Sequence, residues 1–247
     1  MRISRKTSLR DLFELNLALW QVTKLTGGVN RIPKFIQRIF PNMIWGHPNT
    51  SNGPVYLTFD DGPDEVNTLK ILDILDKHAV KGTFFLLGEK LVANVAITHE
   101  IVERGHAIGY HGLTHKAWWF LMSAQRRTEM DPKFLALEKN PFCETAGYPL
   151  LLRPPYGRYD FATLATAHDL EAAIIQWRIV VGDWIRGKSV DSIVSSLLKS
   201  VIPGDIVVLH DGGQNGLLLP EVLDQVLPIW KMKGMEIGHI PELLKKV

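Results

Sequence analysis

From Pro54 to the C-terminus, short apolar runs alternate with stretches of helical periodicity. The runs fall at 54–59, 83–87, 106–109, 150–152, 172–177, 206–209 and 235–238. Between them lie helical patterns around 66–79, 95–104, 123–139, 160–169, 190–200 and 219–233, and a last helix ends the chain. Leu69, Leu72 and Leu75 have the spacing of a single helix face. Repeated strand–helix alternation predicts a parallel sheet with helices outside it. About seven such units in a 247-residue chain, with no composition shift marking a second domain, predict an α/β fold: a (β/α) barrel, seven-stranded and irregular. An open doubly wound sheet is the alternative. No Gly-rich phosphate loop follows a strand, so nucleotide cofactors are not expected.

Residues 1–53 read as a basic N-terminal extension with short helices, and 54–247 as one domain. The extension holds eight Lys and Arg against Asp11 and Glu14, and it has too few apolar residues for a core of its own. Residues 8–20 put Leu9, Leu12, Phe13, Leu19 and Trp20 on one helical face, and IPKFIQRIF at 32–40 has the pattern of a second, shorter helix. Packing of the first helix on the main domain is expected. A peripheral contact with an anionic membrane through residues 1–20 is the alternative. The formal net charge of +2 makes no case for nucleic acid, and no obligate protein partner is evident. No stretch approaches the ~20 apolar residues of a membrane span. Leu12 to Trp20 is a poor secretory signal, so a cytoplasmic location is expected. Cys143 is the lone cysteine, which excludes an intramolecular disulfide and is read as a packed or loop residue.

Ionisable residues gather at the ends of the apolar runs. Asp60 and Asp61 follow Phe59 and precede Gly62-Pro63. Extended backbone would point these two acids to opposite sides, which suits a division between metal ligand and proton acceptor. His111 and His115 follow the third run and are four residues apart; on a helical turn both rings would share a face and bind one metal. Arg153 follows Leu150–Leu152, Asp183-Trp184 follow the run ending near Trp177, and His210 follows Leu209. Each has a bland reading as a turn residue or surface pair. Their shared placement at strand C-termini is what a barrel active site predicts.

Five motifs in order resemble the polysaccharide deacetylase family, also called the NodB-homology or carbohydrate esterase 4 group. They are TFDDGP at 58–63, HGLTH at 111–115, RPPYG at 153–157, GDW at 182–184 and VVLHD at 207–211. The resemblance covers roughly residues 54–240 and implies a metal-dependent hydrolase of linear amides that removes N-acetyl groups from an amino sugar. By that resemblance Asp61, His111 and His115 hold a divalent metal, usually zinc. Asp60 is the general base, tuned by Arg153. The Tyr156 backbone N–H stabilises the oxyanion. His210 is the general acid, oriented by Asp183, and Trp184 and Leu209 line the pocket for the acetyl methyl. The implied partner is a carbohydrate: an N-acetylglucosamine-containing oligo- or polysaccharide, or a precursor. A non-sugar linear or cyclic amide on the same scaffold is the alternative, and a non-catalytic carbohydrate-binding protein is a third reading. The chain departs from the family at Gly112 and Lys116, where Ser or Thr and Pro often stand, and at Arg178, where an acid often follows the tryptophan. The missing hydroxyl at Gly112 predicts a less braced loop and lower metal affinity.

Overall fold

The computed structural model describes residues 30–33, 37, 43–48, 53–135, 142 and 147–245. The helix expected over 8–20, most of the short helix expected over 32–40, and Cys143 lie outside them. In chain order the elements are β1 (Asn30–Arg31), β2 (Met43–Ile44), β3 (Val55–Gly62), α1 (Asn67–Lys77), β4 (Thr83–Leu86), α2 (Gly88–Ala93), α3 (Val95–Glu103) and β5 (Ala107–Tyr110). There follow α4 (Ser123–Met130), β6 (Leu151–Leu152), α5 (Phe161–Asp169), β7 (Ala173–Ile175), β8 (Ile179–Val180), α6 (Val190–Ser200), β9 (Ile206–His210), α7 (Leu219–Met232), β10 (Ile237–Gly238) and α8 (Ile240–Leu244). Among the described residues no helix is long and apolar enough to cross a membrane.

Seven strands run side by side in the order β8-β9-β3-β4-β5-β6-β7, every neighbouring pair parallel. The two ends of this path, β7 and β8, are separated in sequence only by Gln176, Trp177 and Arg178. The sheet therefore curls round until its edges meet on one nearly continuous segment, as an irregular (β/α) barrel. Among the described residues no ladder joins β7 to β8, so the barrel has a seam. The extension contributes to both sides of that seam: β1 pairs antiparallel with β8, and β2 pairs parallel with β7. Unpaired edges would otherwise face solvent there. Arg31 fixes β1 by a two-pronged ion pair to buried Asp205, at 2.8 and 2.6 Å. Arg178 donates to Gln37 Oε1 and the Gly204 carbonyl, at the start of β8 and away from its C-terminal end. Its departure from the family pattern thus serves the seam.

Strand alternation separates two apolar layers. Leu57, Phe59, Phe84, Leu86, Ile108, Tyr110, Val207 and Leu209 join Ile71, Leu72, Leu75, Val222, Leu223 and Val226 of α1 and α7 in the main core. Tyr56, Phe85, Leu151, Ile175 and Ile206 point the other way, into the barrel, where Ile240 and Leu243 of α8 join them. Strands buried on both faces explain why the sequence shows continuous apolar runs and little alternation. The expected spans changed in places: β8 was not expected, and the run at 235–238 gives only β10, which pairs with β3 outside the seven-strand path. The run 172–177 splits into β7 and the start of the β7–β8 link because it changes neighbours at the seam. The helix expected to reach 139 ends at Met130, where Asp131 adopts extended backbone ahead of Pro132. A short helix, α2, fills 88–93.

Candidate active site

The acids at the end of β3 do not follow the alternation of an extended strand. The β3–β4 register shifts between Asp60 and Gly62, and Asp61 has a left-handed φ of 73°. A bulge there re-aims one side chain. Both carboxylates therefore converge on the His111 Nε2, Asp60 Oδ2 at 3.9 Å and Asp61 Oδ1 at 3.5 Å. The opposite orientation expected from extended backbone is thus overturned. Lys90 of α2 donates to the Asp61 carbonyl at 2.7 Å and supports this left-handed residue. Gly62 is required beside it, because a Cβ would overlap the Asp211 carboxylate.

His111 directly follows β5, and Arg153 directly follows the neighbouring β6. The pair His111 and His115 is not on a helical turn. Gly112 (φ 95°) and His115 (φ 59°) take left-handed backbone and fold the loop back, bringing the ring centroids to 5.1 Å. A Cβ on Gly112 would come within 3.1 Å of Trp118 Nε1. The brace the sequence lacks at Gly112 is supplied from α4. Glu129 Oε2 accepts the N–H groups of Leu113 and Thr114 at 3.1 and 3.0 Å, and Oε1 accepts the Thr114 hydroxyl at 2.6 Å. The expectation of an unbraced loop is therefore corrected.

Asp61 Oδ1, His111 Nε2 and His115 Nε2 lie together, the two histidine nitrogens 3.5 and 3.2 Å from the carboxylate oxygen. Four-coordinate sites with metal–ligand bonds of ~2.0–2.1 Å have ligand–ligand edges of about 3.3 Å. Asp61 Oδ1 is buried without a hydrogen-bond partner. The Arg153 carbonyl can only accept, so His111 Nδ1–H donates to it at 2.8 Å and leaves the Nε2 lone pair facing Asp61. Burial pushes the His111 pKa down to about 3, so the ring is neutral. An orphaned carboxylate oxygen and lone pairs aimed at one point fit a divalent cation.

Asp60 and Arg153 form a buried pair at 2.6 Å. The Arg153 guanidinium also donates to the Thr58 hydroxyl and to the Ile175 and Gln176 carbonyls, with Phe85 beneath it at 3.9 Å. A buried ion pair is tolerable only when such bonds occupy its remaining donors. His210 is paired with Asp60 across β3–β9. Buried Asp183 accepts the His210 backbone N–H at 2.7 Å and lies 3.2 Å from Nδ1. Burial alone would lower the His210 pKa, but the Asp183 charge and hydrogen bond, with Asp61 and Asp60 adding, raise it to about 9.

The other expected positions are also located. The half-exposed Tyr156 ring lies 4.5 Å from His115, on a residue with a left-handed φ of 59°. Trp184 is 41 % exposed and stands edge-on to His210 at 4.9 Å. Leu209 is fully buried in the main core, paired with Phe59. Glu129, Lys90, Thr58 and Asp211 were not singled out as site residues from sequence. Asp211 closes the fifth motif; its N–H donates to the Asp60 carbonyl at 3.2 Å. Burial pushes its carboxyl up to about 7, against the Thr68 hydroxyl that donates to it. Only its position after His210 at a strand end could have marked it.

Residues 47–175 match the profile of the polysaccharide deacetylase family. The chain is 32 % identical over 204 residues to a peptidoglycan-N-acetylglucosamine deacetylase of Bacillus cereus, covering 81 % of this chain and 92 % of that one. This chain belongs to the polysaccharide deacetylase family. Another relative is a chitooligosaccharide deacetylase of a Bradyrhizobium species, 33 % identical, with 76 % of this chain and 90 % of that protein covered. Solved structures agree with the barrel. A crystallised peptidoglycan N-acetylglucosamine deacetylase matches at a TM-score of 0.73 and 31 % identity, covering 82 % of this polysaccharide deacetylase and 92 % of its own chain. A carbohydrate esterase 4 pseudoenzyme from Bacillus anthracis matches at 0.70 and 27 % identity, with 82 % and 69 % covered.

Proposed function

We propose that this protein is a metal-dependent deacetylase that hydrolyses the N-acetyl amide of an amino sugar, an N-acetylglucosamine unit in an oligo- or polysaccharide or a precursor. One observation carries the reading: the Asp61–His111–His115 cluster adjoins Asp60, which Arg153 holds and which is the cross-strand neighbour of His210, itself paired with Asp183. Asp61, His111 and His115 would hold the cation, with zinc favoured by two imidazoles and one carboxylate. When bound, such an ion polarises the acetyl carbonyl and acidifies water. Asp60 accepts the proton of the attacking water, and Arg153 fixes its orientation. The backbone N–H of Tyr156 is the donor for the developing oxyanion. Protonated His210 gives its proton to the departing amine, a poor leaving group otherwise, and Asp183 keeps that imidazolium in place. Trp184 would accept the acetyl methyl; Leu209, expected beside it, faces the helices of the main core together with Phe59 and is not part of that pocket. Residues 54–247 form the catalytic unit in this reading.

The test is acetate release by metal-reconstituted protein from N-acetylglucosamine oligomers, acidic glycans and monosaccharide precursors. Asp60→Asn is expected to lower the rate by about 10²–10⁴-fold while keeping metal affinity. Parallel loss of both would overturn the assigned roles of the two acids. A second reading is a non-catalytic carbohydrate-binding protein, since one structural relative is a pseudoenzyme, although Asp60, His210 and the three candidate ligands are all present here. Saturable glycan binding without acetate release from any sugar would establish it.

A further inference from the structure

Gln176 is an amide in an apolar run, directly after Ile174 and Ile175 and before Trp177, and it is 1 % exposed. Burying an amide is costly unless its polar atoms are bonded, so the residue calls for a reason. It stands at the seam. Its backbone N–H donates to the Ile44 carbonyl of β2 at 2.8 Å. No ladder joins β7 to β8 among the described residues, and the Gln176 carbonyl accepts instead from Arg153 Nη2 at 3.3 Å. Its side-chain Nε2 donates to the Gly157 carbonyl at 3.4 Å. A carbonyl can only accept, which fixes the amide nitrogen on that side.

Arg153 and Gly157 are the two ends of one turn. Tyr156 and Gly157 within it both have left-handed backbone, with φ of 59° and 65°. A left-handed residue other than glycine is unfavourable and persists only where its surroundings hold it. Two bonds close the turn from within: the Gly157 N–H to the Pro154 carbonyl at 2.9 Å, and the Arg158 N–H to the Pro155 carbonyl at 3.2 Å. From outside, the Trp177 ring lies so close to Gly157 that a Cβ there would overlap it. Gln176 reaches both ends, Arg153 through its carbonyl and Gly157 through its amide. We propose that Gln176 is a positioning residue for the oxyanion donor. It holds the turn so that the Tyr156 N–H stays aimed at the reacting carbonyl, and it touches no substrate atom itself. This inference rests on the deacetylase reading above, with Tyr156 as its donor.

The experiment uses a glycan that the wild-type protein deacetylates, in N-acetyl and N-trifluoroacetyl forms, and measures kcat and KM for each together with zinc affinity by titration. Fluorine withdraws charge from the oxyanion, so the trifluoroacetyl form relies less on a protein donor. Removing an oxyanion donor outright costs about 10²–10³ in kcat. Gln176→Met displaces the donor without removing it, and the lost bond is a long one, so kcat for the acetyl form is expected to fall about tenfold. The trifluoroacetyl form should lose no more than about threefold, with KM and zinc affinity within about twofold of wild type. General damage to the fold lowers both rates alike, so the difference between the two forms is the signature of the donor. Gln176→Asn, one methylene short of Gly157, decides the question with a polar side chain if Gln176→Met does not fold. Equal losses on the two forms, an unchanged acetyl rate, or a fall in zinc affinity matching the fall in kcat overturns the positioning role alone. Failure of the wild-type protein, with zinc bound, to release acetate from any N-acetylglucosamine glycan overturns the deacetylase reading and the role of Gln176 with it.

Discussion

The His210 imidazole is largely enclosed, which by itself favours its neutral form, yet the carboxylate of Asp183 beside it holds its pKa up at about 9. In Asp183→Asn the burial remains and most of the opposing charge is gone. The imidazolium is then lost at lower pH, and the alkaline limb of the pH–rate profile should move down by at least one pH unit; an unmoved limb would separate His210 from proton donation. Glu129 offers a second test at this scale. Its carboxylate holds the backbone of the loop that folds His115 onto His111. Removing such outer-shell support typically costs about 10–100-fold in metal affinity. Glu129→Ala should show a loss of that size in a metal titration. Glu129→Gln, whose amide oxygen can still accept both N–H groups, should stay within a few-fold of wild type.

At the scale of elements, the seam of the barrel is the feature most dependent on the rest of the chain. β7 and β8 have no ladder between them among the described residues, and the two-residue strands β1 and β2 pair with their outer edges. Arg31 ties β1 to Asp205, which is wholly buried and also accepts the Ile202 N–H. Arg31→Ala leaves that carboxylate with one fewer partner. Because Arg31 is itself partly exposed, the expected loss is about 1–2 kcal/mol, read from urea unfolding. Cutting the chain before Pro54 removes both edge strands and should destabilise the barrel further. The helices were largely legible from periodicity. The seam was not, because local pattern carries no information on which neighbour a strand selects, and the run at 172–177 changes neighbours within a few residues.

Over the whole molecule, every proposed chemical residue lies on the same end of the sheet, and metal binding couples that end to global stability. A cation that binds the folded chain alone raises its stability by mass action, about 2.7 kcal/mol at a hundredfold excess over its dissociation constant. For a chain of this size, that corresponds to a Tm higher by roughly 5–10 °C. Zinc should give such a rise in thermal denaturation, chelator should reverse it, and Asp61→Ala should abolish it. The sequence by itself determined the alternation of strands and helices, and hence a parallel sheet with helices outside. It also determined the C-terminal placement of Asp60, Asp61, His111, Arg153 and His210, because strand ends and turn residues are local signals; Asp183 instead follows β8, a strand that the local pattern did not mark. Only the tertiary structure decided how those residues meet. The bulge at Asp61, the left-handed His115, the brace from Glu129 and the closure of the sheet at its seam all arise from contacts between segments far apart in the chain. Burial and partner choice across those contacts, which no local propensity encodes, set both the geometry of the site and the charge of His210.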